Sequence, residues 1–158
     1  MDYILWLEGG LFVLMMGLSG FFSSSETSLF SLSDIQLEQM RRDQHPRIGL
    51  IQRLLSQPRR LIITILLGNE LVNVTASVIS AAIVIKVLGA ENKWINLLIM
   101  VPLLLLLGEI TPKVLAIRHN IAFAGFESKL IEFFAWLIKP LRFVVRKVAD
   151  WIITLVIG

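Results

Sequence analysis

The chain has 158 residues, of which 56% are hydrophobic and only 17% charged, and its mean hydropathy is +0.77. A soluble domain carries about 25% charged residues, so this composition excludes one and describes an integral membrane protein. With no cysteine there is no disulfide, thiolate metal site or thiol catalysis, and the basic residues behind the net charge of +3 gather in loops, which marks membrane orientation rather than nucleic-acid binding.

The first apolar run, Ile4 to Phe22, begins with Asp2 and Glu8 where a signal peptide would be positive. It therefore reads as a first span rather than a cleaved leader. The helix is predicted over about 4–32, through the polar stretch GLSGFFSSSETSLFS. Ser19 and Ser23 are four residues apart and Glu26 follows three later, so all three share one helix face. One or two serines in a membrane helix serve close packing; Ser23, Ser24, Ser25 and Glu26 together exceed that need.

Residues 34–57 are too polar to span. Ser33 and Gln36 fit a capping box, Ile48, Ile51, Leu54 and Leu55 recur at helical spacing, and Pro46 should divide the stretch into two short helices. Both a helical hairpin packed on the spans and an interfacial role fit this pattern.

The second run, Leu61 to Ile85, lies in a helix predicted over about 59–88. Asn69 and Asn73 sit at i and i+4, on a face continued by Ala76, Ser77 and Ser80. Glu70 is about 100° away around the helix, and reaches the same point only if Gly68 introduces an irregularity. Asparagines in a span can be interhelical glue worth around 0.6–2 kcal/mol each, an explanation that weakens for two with a neighbouring glutamate.

The third run, Trp94 to Ile117 (94–117), carries Gly108, Glu109, Thr111 and Pro112. A charged carboxylate within a bilayer costs roughly 2.5 kcal/mol or more unless paired, protonated or bound to a cation. Pro112 has no N–H and should leave the Gly108 carbonyl free beside Glu109; Pro102 should produce a kink only. Lys113 supplies the plain alternative, an i, i+4 ion pair with Glu109, or it snorkels to the interface.

The tail, 120–157, is predicted as amphipathic helices interrupted at Pro140. Phe126, Leu130, Phe133, Phe134 and Leu137 form one apolar stripe, and Phe143, Val144, Val148, Trp151, Ile152 and Leu155 another, the latter opposed by Arg142, Arg146, Lys147 and Asp150. A fourth span would immerse several charges, so an interfacial position with the basic residues near anionic headgroups fits better. Six arginines lie between the first two spans, two lysines between the second and third, and a further basic group after the third. The positive-inside rule thus puts the N-terminus outside and the C-terminus in the cytoplasm.

Each span contributes one polar cluster, and the three fall at comparable depth. They offer hydroxyls, amide oxygens, carboxylate and a bare carbonyl, while His45 and His119 lie outside the spans. All-oxygen ligation suits Mg²⁺, Ca²⁺ or Na⁺ and disfavours zinc or copper. A hydrolase built on Ser23 has no histidine in the spans to activate it, and with Glu26 as its base nothing specifies an oxyanion hole, so no enzymatic activity is expected.

Together, LSGFFSSSETSLFSLS, LLGNELVNVTAS and GEITPKVLAIRHNIAFA resemble, in order and spacing, the transmembrane domain of the prokaryotic CorB/CorC and animal cyclin M (CNNM) magnesium transporters. The resemblance covers essentially the whole chain. It implies an all-α membrane protein: a homodimer of three-span protomers in the plasma membrane, with cytoplasmic juxtamembrane helices. It also implies Mg²⁺ export coupled to Na⁺ entry, by alternating access. The implied Mg²⁺ ligands are Ser23, Asn69, Gly108 and Glu109, with Ser19, Asn73 and Pro112 in support. Na⁺ is expected in an adjacent polar pocket around Asn73, Ser19 or Glu70. The family continues into a paired CBS module that binds ATP; none lies within residues 1–158, so nucleotide regulation is not assigned to this chain. The competing reading is a membrane scaffold or sensor with a structural cation and no flux.

Overall fold

The computed structural model describes residues 2–157, and every element among them is helical. The chain runs through α1 (Asp2–Phe30), α2 (Asp34–Arg42), α3 (Ile48–Leu55) and α4 (Pro58–Leu88). A short 3₁₀ turn then leads into α5 (Lys93–Leu103), a π-helical segment (Leu104–Ile110), α6 (Thr111–Arg118), α7 (Asn120–Leu137) and α8 (Lys139–Ile157). Three stretches are long and apolar enough to cross a membrane: Tyr3–Phe30, Pro58–Leu88 and Trp94–Arg118. At 1.5 Å per residue, the 29 residues of α1 and 31 of α4 reach roughly 45 Å, beyond the ~30 Å of hydrocarbon.

The contacts fix the directions of the spans. Along α1, Glu8 pairs with Lys86, Ser19 bonds Asn73, and Phe22 covers Gly68. Residue numbers fall on α4 as they rise on α1, so these helices are antiparallel. Ser19 meets Gly108 and Glu26 meets Lys113, so the third span runs parallel to the first.

Apolar helices gain little from one another's hydrophobicity in lipid and associate through close packing and hydrogen bonds. Gly68 provides that closeness: a Cβ there would lie 2.3 Å from the Phe22 ring. Phe22 is fully buried and meets Phe134 of α7 edge-on at 4.9 Å. Gly68 therefore serves packing, and α4 remains one unbroken α-helix, without the irregularity that would have swung Glu70 inward.

The capping box forms at Ser33, whose hydroxyl accepts from the Gln36 N–H at 3.2 Å while Gln36 Oε1 accepts from the Ser33 N–H at 3.0 Å. Pro46 lies between α2 and α3. Met40, Ile51 and Leu54 join Phe22, Leu29, Leu61 and Ile131 in one core, so this hairpin packs on the spans.

Helix α7 turns its small and polar side inward. Ala124, Glu127, Ser128 and Ile131 are buried, whereas Phe126, Phe133 and Leu137 of the anticipated stripe are exposed. Only Phe134 of that stripe packs against the core.

Candidate functional site

The inward face of α1 is a column of hydroxyls: Ser19, Ser23, Ser24, Ser25 and Ser28 are each 3% exposed or less. They divide by what they bond. Ser25 bonds back to the Phe21 carbonyl at 2.7 Å, which is the packing role expected of a serine in a span. Ser19 and Ser23 instead reach across to other spans. Ser19 Oγ donates to Asn73 Oδ1 at 2.7 Å and lies 3.4 Å from the Gly108 carbonyl, and Ser23 Oγ lies 3.3 Å from the Glu109 carbonyl. An O–H···O bond usually measures about 2.5–3.0 Å, so both carbonyls are only weakly engaged.

These two carbonyls belong to the π segment. Here the Thr111 N–H bonds the Leu106 carbonyl, five residues back. Carried one residue further, that register pairs Pro112 with Leu107, so the donor missing from the proline falls on Leu107 rather than on Gly108. The carbonyl that the proline deprives of a donor is therefore Leu107's, not Gly108's as anticipated from sequence, and the Gly108 carbonyl is met instead by the Ser19 hydroxyl. The widened turn projects the Gly108 and Glu109 carbonyls toward α1, as π-bulges at functional sites often do. Gly108 permits the approach, because a Cβ would stand 2.8 Å from Ser19 Oγ. Pro112 closes against α1, 3.1 Å from where a Cβ on Gly20 would be.

Asn69, one turn from Asn73 on α4, has a buried Oδ1 with no hydrogen-bond partner. A buried polar atom without a partner costs about 1–3 kcal/mol. Among the described residues no three His, Asp or Glu side chains gather as a ligand set. The cluster is one of neutral oxygens, a donor set that suits hard cations better than soft ones.

A model of the cyclin M transmembrane N-terminal domain matches residues 10–158. The chain belongs to this family. A chloroplastic DUF21 domain-containing protein of Arabidopsis thaliana is 32% identical over 113 residues, 72% of this chain and 17% of that protein. A UPF0053 protein of Haemophilus influenzae is 30% identical over 129 residues, 82% of the chain and 31% of its own length. The UPF0053 inner membrane protein YfjD of Escherichia coli is 29% identical over 124 residues, 78% of the chain and 29% of its own length. The chain thus spans less than a third of the length of these relatives.

Within this cyclin M domain the Glu109 side chain departs from the cluster its backbone joins. Its carboxylate lies 3.6 Å from Lys113 Nζ, and the same ammonium lies 3.3 Å from Glu26. All three side chains are partly exposed, and one ammonium between two carboxylates leaves a net negative charge there. Glu70 is separate again: it sits on the exposed side of α4, where the 100° offset from Asn69 puts it. The structure therefore brings together Ser19, Ser23, Asn73, Gly108 and Glu109, supported by Pro112, and leaves Glu70 outside.

Sequence reasoning missed Glu127. This α7 carboxylate is 2% exposed and accepts from the Ser24 and Ser28 hydroxyls, the latter at 2.8 Å. Burial pushes its pKa up, against the opposing effect of hydrogen bonds from Ser24, Ser28 and Ser25. Ser24 and Ser28, at i and i+4 on a buried face, were the available signal that a partner was required.

Proposed function

We propose that this domain carries Mg²⁺ across the membrane, holding the largely dehydrated ion among Ser23, Asn69 and the Gly108 and Glu109 oxygens, with Ser19 and Asn73 supporting them. The observation that carries this reading is the Asn69 oxygen, buried and unpartnered one turn from the Asn73 that bonds Ser19. A hard cation held there would give it the partner it lacks. Mg²⁺ takes about six oxygens near 2.1 Å and loses water reluctantly, so a site with one carboxylate binds it moderately and can let it go. The Glu109 carboxylate is the charge that joins the ion, and it must leave Lys113 to do so.

Coupling to Na⁺ entry, export by alternating access, a plasma-membrane location and a cytoplasmic C-terminus belong to the same proposal. So does a homodimer: Glu70, exposed near the middle of α4, is costly against lipid and would be covered by a second copy. Sodium would share the Ser19–Asn73 side of the cluster.

The scaffold or sensor reading draws on the Glu109–Lys113 pair, because a paired carboxylate needs no ion. Flux separates the two. Protein in liposomes should move Mg²⁺, faster with an opposing Na⁺ gradient; no Mg²⁺ movement in either condition would leave a scaffold.

A further inference from the structure

A second charged site lies where α4 begins. A cavity of about 350 Å³ there is lined by Arg59, Arg60, Arg142 and Arg146, together with Pro58 and Ile63. Two carboxylates pair with arginines of this region. Asp150 pairs with Arg59 and lies 3.8 Å from Arg146, and Glu132 lies 3.4 Å from Arg60 and 3.6 Å from Arg53. Four guanidiniums thus share two carboxylates. Arg142 has neutral partners, donating to Thr64 Oγ1 at 3.0 Å and to the Ala135 carbonyl at 2.9 Å. Burial lowers its pKa and the neighbouring Arg60 lowers it further, against the opposing effect of Glu132. Arg60 Nε and Glu132 Oε2 are both buried with no hydrogen-bond partner.

A cavity lined by four arginines and no carboxylate calls for an anion. Guanidiniums favour phosphate because their planar fork matches two of its oxygens. The location identifies the source. Arg59 and Arg60 immediately precede Leu61, where the apolar part of the second span begins, so the cavity sits at headgroup level. On α8, Phe143, Val144, Trp151 and Leu155 are exposed, an apolar side suited to the boundary between headgroups and acyl chains.

We propose that this cavity binds the phosphate of an anionic phospholipid, clamped between the start of α4 and α8. The site is independent of the cation cluster and of any flux. It also goes beyond diffuse attraction of basic residues to a charged leaflet, because it assigns the lipid to a particular set of guanidiniums.

The test is native mass spectrometry of the full chain released from detergent with equal phosphatidylglycerol and phosphatidylcholine. The wild type should retain phosphatidylglycerol preferentially. Arg146→Gln, whose side chain is 62% exposed, should fold normally and lose that preference several-fold. Arg142→Gln/Arg146→Gln should lose it by roughly tenfold or more, given the contribution of each basic residue near an anionic surface. Lys147→Gln removes an equal charge from α8 outside the cavity and should have little effect. The proposal is overturned if Arg146→Gln retains the lipid as the wild type does, or if Lys147→Gln loses it equally. It is likewise overturned if millimolar inorganic phosphate displaces the lipid completely, which would make the ligand a soluble anion.

Discussion

Lys113→Gln should raise Mg²⁺ affinity about fivefold, since it releases the one carboxylate the cation needs. Lys113 Nζ lies 3.6 Å from Glu109, where the Coulomb energy runs from about 1 kcal/mol in water to about 5 kcal/mol at an effective dielectric of 20. Both side chains are partly exposed, 36% for Lys113 and 43% for Glu109. That favours the low end, in keeping with the 0.2–1 kcal/mol typical of exposed pairs. A gain of about 1 kcal/mol corresponds to a roughly fivefold lower Kd. Calorimetric titration of purified protein with Mg²⁺ would measure it. A Kd that stays the same or rises would refute the idea that Lys113 and the cation compete for Glu109.

Other expectations concern packing and pH. Gly108→Ala should destabilise the domain by about 1–3 kcal/mol, the usual cost of overpacking, because its Cβ would meet Ser19 Oγ at 2.8 Å; thermal unfolding in detergent reads this out, and an unchanged melting temperature would contradict the close contact. Glu127 has a pKa raised by burial, so its contribution is complete below the ordinary carboxylate range and is lost as pH rises through the raised folded value. Wild-type thermal stability should therefore decline over that window and Glu127→Gln should remove the decline; a variant with the wild-type pH profile would place the titration elsewhere.

Much of the architecture was legible because it rests on local signals. Apolar run length marks the three spans, the Ser33–Gln36 pair marks the start of α2, and Pro46 and Pro140 lie at helix junctions. The 100° offset of Glu70 from Asn69 already separated those side chains, and an unbroken α4 keeps them apart. The π segment was not legible. Leucines 103–107 fit an α or a π register equally, and the choice between them is made by how the segment meets α1 at Gly20 and Ser19. Glu127 was missed for a related reason: its partners lie about a hundred residues away in sequence, and on the sequence alone it belonged to the polar side of an amphipathic helix. The Lys113 pairing stood as an open alternative, and the structure adds Glu26 to it.

The most direct test is a comparison of Mg²⁺ binding isotherms for the wild type, Asn69→Ala and Glu70→Leu. If interhelical oxygens grip the ion, Asn69→Ala should abolish measurable binding, while Glu70→Leu, about 100° around the same helix turn, should bind as the wild type does. Wild-type affinity in Asn69→Ala would contradict the account.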